Sequence, residues 1–263
     1  MHIVVLGDCQ SNGNNCLMHE IAPDRTHCTW SLRYHNEYDV VFKWMLKKIA
    51  QGSKLPEVTV RTVEDVSWAF LRREEKAVAW PALLTDHTVY DYSINGAHFI
   101  GYLKRLQQHV VKHGKPDLVI ITDYSPSHVG VVFKDHGQRY VFESVNYDSY
   151  VWKTDKYSPH VRDVYFKRLD SLKRHDDSYH YKRHRHYYRL LQQYLDQNNI
   201  QSMTVRFGTL EERDIKAFDE FMSTDVDCTE EFKEYTTREG EHSLTKLQLQ
   251  QTIAAKIKHH LPM

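Results

Sequence analysis

Cysteine is scarce in this chain and unpaired. Cys9, Cys16, Cys28 and Cys228 are the four among 263 residues, and no two of them stand in a C-x-x-C spacing. That pattern argues against a structural zinc centre and a disulfide scaffold, and suits reduced thiols in a cytoplasm. Long hydrophobic runs are missing as well. No stretch approaches the ~18 consecutive apolar residues that cross a bilayer, and the chain enters a strand by residue 3 without a basic segment leading into an apolar one. The expectation is a soluble, cytoplasmic protein with no membrane partner. An excess of charge is also lacking: 35 Lys and Arg stand against 35 Asp and Glu. No global field draws the chain to a polyanion, which makes nucleic acid the least favoured class of partner.

Histidine is plentiful, with 18 copies, so net charge responds to pH around the imidazole range near 6.5. The length suits one large domain, or one domain with an insertion. Its opening stretch, Ile3-Val4-Val5-Leu6-Gly7-Asp8-Cys9-Gln10-Ser11-Asn12-Gly13, is an aliphatic run breaking abruptly into a small polar turn. Such a run reads as a buried strand, and in open parallel sheets ligands sit at the carboxyl ends of strands. Cys9 would then stand at the mouth of a site with its own N–H facing a bound anion.

Further along, helical spacing marks Tyr38 to Ile49, Val63 to Leu71, Phe99 to Val110, Val161 to Leu172, Tyr179 to Gln197 and Leu247 to Leu261. Strand signals fall at Val89 to Tyr92, Leu118 to Ile121 and Ser202 to Phe207. Val129 to Lys134 and Arg139 to Glu143 read as a hairpin through Asp135-His136-Gly137-Gln138. With the aromatic loop after it and the basic helix from Tyr179, this hairpin forms an expected insertion over residues 129–200. His180 and His184 lie at metal-sharing spacing without an acidic or thiol partner, so a solvated basic face is expected there. The acidic segment Asp225 to Glu241 is expected to be polar and irregular.

The turn Gly7-Asp8-Cys9-Gln10-Ser11-Asn12-Gly13 resembles the first block of the SGNH (GDSL-type) hydrolases, with cysteine in place of the nucleophilic serine. It also resembles the Gly-Asn-Cys-Gln turn of the WcbI-type capsule-biosynthesis proteins, which are associated with coenzyme A. Trp80-Pro81-Ala82-Leu83-Leu84 leading to Asn95-Gly96 resembles the approach to the second block. Where that superfamily places Gly-x-Asn-Asp, this chain has Thr122-Asp123-Tyr124-Ser125, so the third oxyanion donor is either missing or replaced by Ser125 or Asn95. Glu239 and His242, just before the closing helix, stand where the family carries Asp-x-x-His. The blocks run in order over nearly the whole chain, and their loose form is also similar to SGNH-like proteins of large tailed phages, which leaves a viral origin open.

The resemblance implies an α/β fold: a flavodoxin-like three-layer α/β/α sandwich with a parallel sheet of about five strands, in a single domain over 1–263. It further implies an esterase or acyltransferase acting on an O-acyl group, a carbohydrate ester being the expected substrate. His242, steadied by Glu239, would deprotonate Cys9, with the N–H groups of Cys9 and Gly96 as oxyanion donors. Asp8, Gln10, Ser11, Asn12, Asn95, Asp123 and Ser125 would line the substrate. A thiol favours acyl transfer over hydrolysis. No cofactor is required, and coenzyme A is the implied acyl donor. The alternative is a catalytically inactive SGNH-fold module binding a sugar, a nucleotide or a coenzyme A-like ligand.

Overall fold

The aliphatic run at the start of the chain forms strand β1 (His2–Leu6), and its pairing partners set the architecture. The structure is a computed structural model and describes residues 1–7, 11, 16–21, 38–55, 62–94, 97–122, 129–144, 157–175, 177–207, 216, 218–239, 242–245 and 247–262. The chain divides into two compact units, Met1–Cys9 with Asp86–Asp227, and Gln10–Thr85 with Cys228–Met263.

The first unit holds a five-stranded sheet built from β1, β2 (Thr88–Asp91), β3 (Leu118–Thr122), β6 (Gln201–Arg206) and β7 (Val226–Asp227). All neighbours are parallel, in the order β2-β1-β3-β6-β7. Counting only these strands along the chain, the order is 2-1-3-4-5, the flavodoxin-like arrangement. Parallel pairing requires both faces of a sheet to be covered, and the strand burial shows that they are. Val4, Leu6, Val119 and Ile121 point to one face, Ile3, Val5, Leu118 and Ile120 to the other, and all eight are buried.

The face carrying Val4 and Leu6 packs on two helices. From α4 (Phe99–His113) come Phe99, Tyr102 and Leu106, and from α6 (Asp177–Gln197) come Tyr188, Leu191 and Leu195. Helix α4 begins on the cap His98 and stops at Gly114, whose φ of 86° lies in the region that favours glycine. At the far side of the sheet, Asp225 accepts hydrogen bonds from the Thr204 N–H (2.7 Å) and hydroxyl (2.9 Å), which holds the approach to β7 against β6.

A second, smaller core in this unit joins the hairpin of β4 (Val129–Asp135) and β5 (Gln138–Ser144) to α5 (Pro159–Lys173). Val131 and Phe133 pack there with Val161, Tyr165 and Leu169. The hairpin turns on His136 and Gly137, both with positive φ (46° and 80°), as the tight two-residue connections of twisted strands require. Residues 129–200 therefore divide between two cores: the hairpin and α5 build their own, whereas α6 belongs to the layer on the sheet.

The second unit is mainly helical. It contains α1 (Met18–Ile21), α2 (Tyr38–Ala50), α3 (Val63–Val78), a 3-10 turn over Trp80–Leu83, α7 (Thr229–Tyr235), the hairpin β8 (Thr236–Glu239) and β9 (His242–Thr245), and α8 (Leu247–His260). Val41, Trp44 and Met45 of α2 meet Trp68, Phe70 and Leu71 of α3 around Cys16 and Leu17, with Trp44 edge-on to Phe70 at 5.7 Å. Thr62 caps α3 by accepting the Asp65 N–H at 3.1 Å. The buried Gln250 of α8 accepts the Trp80 N–H at 2.9 Å. The segment expected to be irregular after Asp225 instead forms β7, α7 and β8. Helix α7 shows no apolar period because it buries little beyond Phe232; its ion pairs Lys233–Glu230 and Lys256–Glu231 supplement that single anchor. No helix among the described residues is long and apolar enough to cross a membrane.

Candidate functional site

Strand order predicts where a ligand would sit. In a 2-1-3-4-5 sheet the connections reverse direction between β1 and β3, and the crevice lies at the carboxyl ends of those strands. The strands themselves are buried on both faces and, apart from Thr122 at the end of β3, offer a ligand nothing polar at that end, so the site has to be built by the turns at their carboxyl ends.

After β1 comes Gly7, which is buried, and its carbonyl accepts the Ile94 N–H at 3.1 Å. The Tyr92 N–H likewise donates to the Val5 carbonyl at 2.9 Å, so the pairing of the two segments continues past the end of β2. Asp91 folds this exit by accepting the Ser93 N–H at 2.8 Å. The Ser93 hydroxyl is buried, the residue being 1% exposed, and has no hydrogen-bond partner among the described residues. The Ala97 N–H closes the turn onto Ile94 at 3.2 Å.

His98 is the cap of α4. Its Nδ1 accepts the Ile100 N–H at 3.2 Å, so the hydrogen of the neutral ring resides on Nε2. The ring is buried and lies 4.8 Å from that of His184 and 5.4 Å from that of Tyr187, both on α6. His184 is itself 1% exposed and also meets Phe218 at 5.9 Å. The expected solvated face is thus corrected at this position. His184 continues the stripe Tyr188, Leu191, Leu195 by one helical turn, and that spacing is the signal that marks it. Sequence reasoning misses His98, because histidine is not among the usual capping residues. Across the crevice, Thr122 ends β3 fully buried.

The expected site residues fall into three groups. Asp8, Cys9, Gln10, Asn12, Asn95, Gly96, Asp123 and Ser125 lie outside the described residues. Ser11 is described and buried, in the second unit. Glu239 and His242, expected in a loop, instead sit in strands β8 and β9, where the backbone register pairs them directly across a two-residue connection. They too belong to the second unit, and α8 comes after them as expected.

Of the other cysteines, Cys16 and Cys228 are buried thiols outside any disulfide. Burial, with the charge of Glu75 nearby, pushes the Cys16 thiol well above its ordinary range, leaving it protonated and unreactive. Among the described residues no group of three His, Cys, Asp or Glu side chains is arranged to hold a metal ion. Neither protein-family models nor curated protein sequences match this chain.

Proposed function

We infer that the protein is a cysteine-based SGNH-like esterase or acyltransferase, with Cys9 as nucleophile and His242, oriented by Glu239, as base. The observation that carries this reading is the sheet order. Strand β1 is interior and lies beside the point where the connections reverse, its carboxyl end is where open α/β sheets bind their ligands, and Cys9 follows that end closely in the sequence, which supports the reading. The pairing of Glu239 with His242 across β8 and β9 adds support, because an acid and a base that act together must be held as neighbours.

In this reading the Cys9 thiol gives its proton to His242 and the thiolate attacks the acyl carbon. The carbonyl oxygen takes up the electron pair, and backbone N–H groups at Cys9 and Gly96 stabilise the resulting oxyanion. Its collapse expels the alcohol or coenzyme A thiol, which leaves with the proton from His242. The Cys9 thioester then passes its acyl group to water or to an acceptor hydroxyl, an O-acyl ester of a carbohydrate being the proposed substrate.

Intact mass spectrometry after brief exposure to an activated acetyl ester and, separately, to acetyl-coenzyme A tests this. The expected result is a single acetyl increment mapped to Cys9, absent in Cys9→Ala and slowed in His242→Ala. The buried Cys16 and Cys228 should stay unlabelled in the folded chain. No increment at Cys9 from either donor would remove the catalytic reading in favour of a module that only binds its ligand.

A further inference from the structure

At the opposite, amino edge of the sheet a group of histidines and tyrosines converges on the last turns of α4. His109 is buried, 1% exposed, and both of its ring nitrogens are engaged. Nδ1 lies 3.0 Å from the Tyr92 hydroxyl, and Nε2 lies 2.9 Å from Nε2 of His2 at the start of β1. The His113 ring stacks on His109 at 5.1 Å, and Tyr90 stands edge-on to it at 4.8 Å. Tyr90 also touches the rings of His2 (5.1 Å) and His113 (4.7 Å).

Two imidazole nitrogens 2.9 Å apart require one hydrogen between them. With one ring donating and the other accepting, the contact is a hydrogen bond, and a first proton leaves it in place as a cation donating to a neutral ring; with both rings protonated, it becomes a collision of two donors and two positive charges. The Tyr92 hydroxyl can donate to or accept from Nδ1, so it accommodates either tautomer of neutral His109.

Among the described residues, the charges around His109 offer a cation no compensation. From β1 it meets His2, from β2 and its exit the neutral phenols of Tyr90 and Tyr92, and from its own helix His113. The nearby carboxylate of Asp117, ahead of β3, is committed to the His2 backbone N–H at 2.7 Å.

We propose that the His2–His109 pair is a proton-operated latch, closed by a single shared hydrogen and opened when both rings are protonated, which fastens the carboxyl-terminal turns of α4 to the β1–β2 side of the sheet. This inference is independent of the acyl-transfer reading. Burial, together with the proximity of His2 and His113, lowers the His109 pKa from 6.5 to about 4. An opened α4 end would instead protonate near the ordinary imidazole value. Linkage between those two values makes opening roughly twentyfold more frequent at pH 5 than at pH 7.

The test combines an NMR titration of the histidine rings with amide hydrogen exchange of residues 106–113 at pH 7 and pH 5, corrected for intrinsic exchange. The wild-type chain should show His109 titrating below pH 5 and exchange rising by about that factor. In His109→Gln the pH dependence of exchange should vanish, whereas in His113→Gln, which removes a stacked ring but no bond, it should persist. His2→Gln should raise the His109 titration point, because a neutral partner replaces one that competes for the proton. A wild-type His109 that titrates near 6.5 with unchanged exchange would overturn the proposal, and so would pH dependence that survives in His109→Gln. Should His109→Gln fail to fold, the wild-type ring titration and His2→Gln still decide.

Discussion

Helix α4 carries a buried histidine at each end, and the two behave as opposites. His98 gives its Nδ1 lone pair to a backbone N–H, a donor that never titrates, so its protonation state is fixed by the fold. His109 gives both nitrogens to side chains, one of them another histidine, so its hydrogen bond depends on a count of protons. Residue type and burial are the same at both positions. What differs is whether the partner is itself able to change.

Four measurements put that contrast at risk. The largest effect belongs to the anchor between the two ends. Phe99→Ala removes a fully buried ring packed on Tyr102 (5.7 Å) and Tyr188 (5.1 Å), and should cost about 3–5 kcal/mol in denaturant unfolding. A cost under about 1 kcal/mol would mean that α4 is not held as one element.

Next is the pH dependence of stability. The His109 pKa is lowered on folding, so the unfolded chain binds more protons between about pH 6.5 and 4, and stability must fall as pH falls through that window. The contribution is fully present above pH 6.5 and amounts to at most about 3 kcal/mol. His109→Gln should flatten this limb of the curve, while His98→Asn should leave it intact.

A smaller effect concerns the cap. His98→Ala should cost about 1 kcal/mol, with His98→Asn recovering most of it, since asparagine caps well. If His98→Ala changed the slope of stability against pH relative to the wild type, the assignment of a fixed neutral ring would fail. Smallest is Ser93→Ala, which deletes a buried hydroxyl with no partner among the described residues. The variant should be as stable to heat as the wild type, or more stable by up to about 1 kcal/mol, and a clear loss would reveal a hydrogen bond at that hydroxyl.

Much of the fold is legible in the sequence for one physical reason: buried parallel strands need continuous aliphatic runs. Ile3 to Leu6 and Leu118 to Ile121 announce themselves that way, and the hairpin does so through its turn at His136-Gly137. Helices α2, α3 and α4 are visible in their apolar stripes. Strand β7 is not legible, because two residues held by Asp225 and Thr204 carry no pattern of their own. Helix α7 is hidden by its charge, and the buried place of His184 by the polarity of its neighbours. The histidine cluster cannot be read from sequence at all, since His2 and His109 are brought together across 107 positions. At the candidate site, Glu239 and His242 sit opposite one another in the register of strands β8 and β9, where the sequence suggests a loop.

Strand β1 precedes its partners by a long interval of chain. It is interior to the sheet, yet it pairs with residues from Thr88 onward on one side and from Leu118 onward on the other. At ribosomal speeds of about 5–20 residues per second, the run Ile3 to Leu6 waits roughly 6–23 s between its own synthesis and that of β3. Until β2 is made both of its edges are open, and until β3 is made one of them still is. A segment enclosed on every side in the finished molecule is therefore the one most in need of a chaperone while the chain is being made.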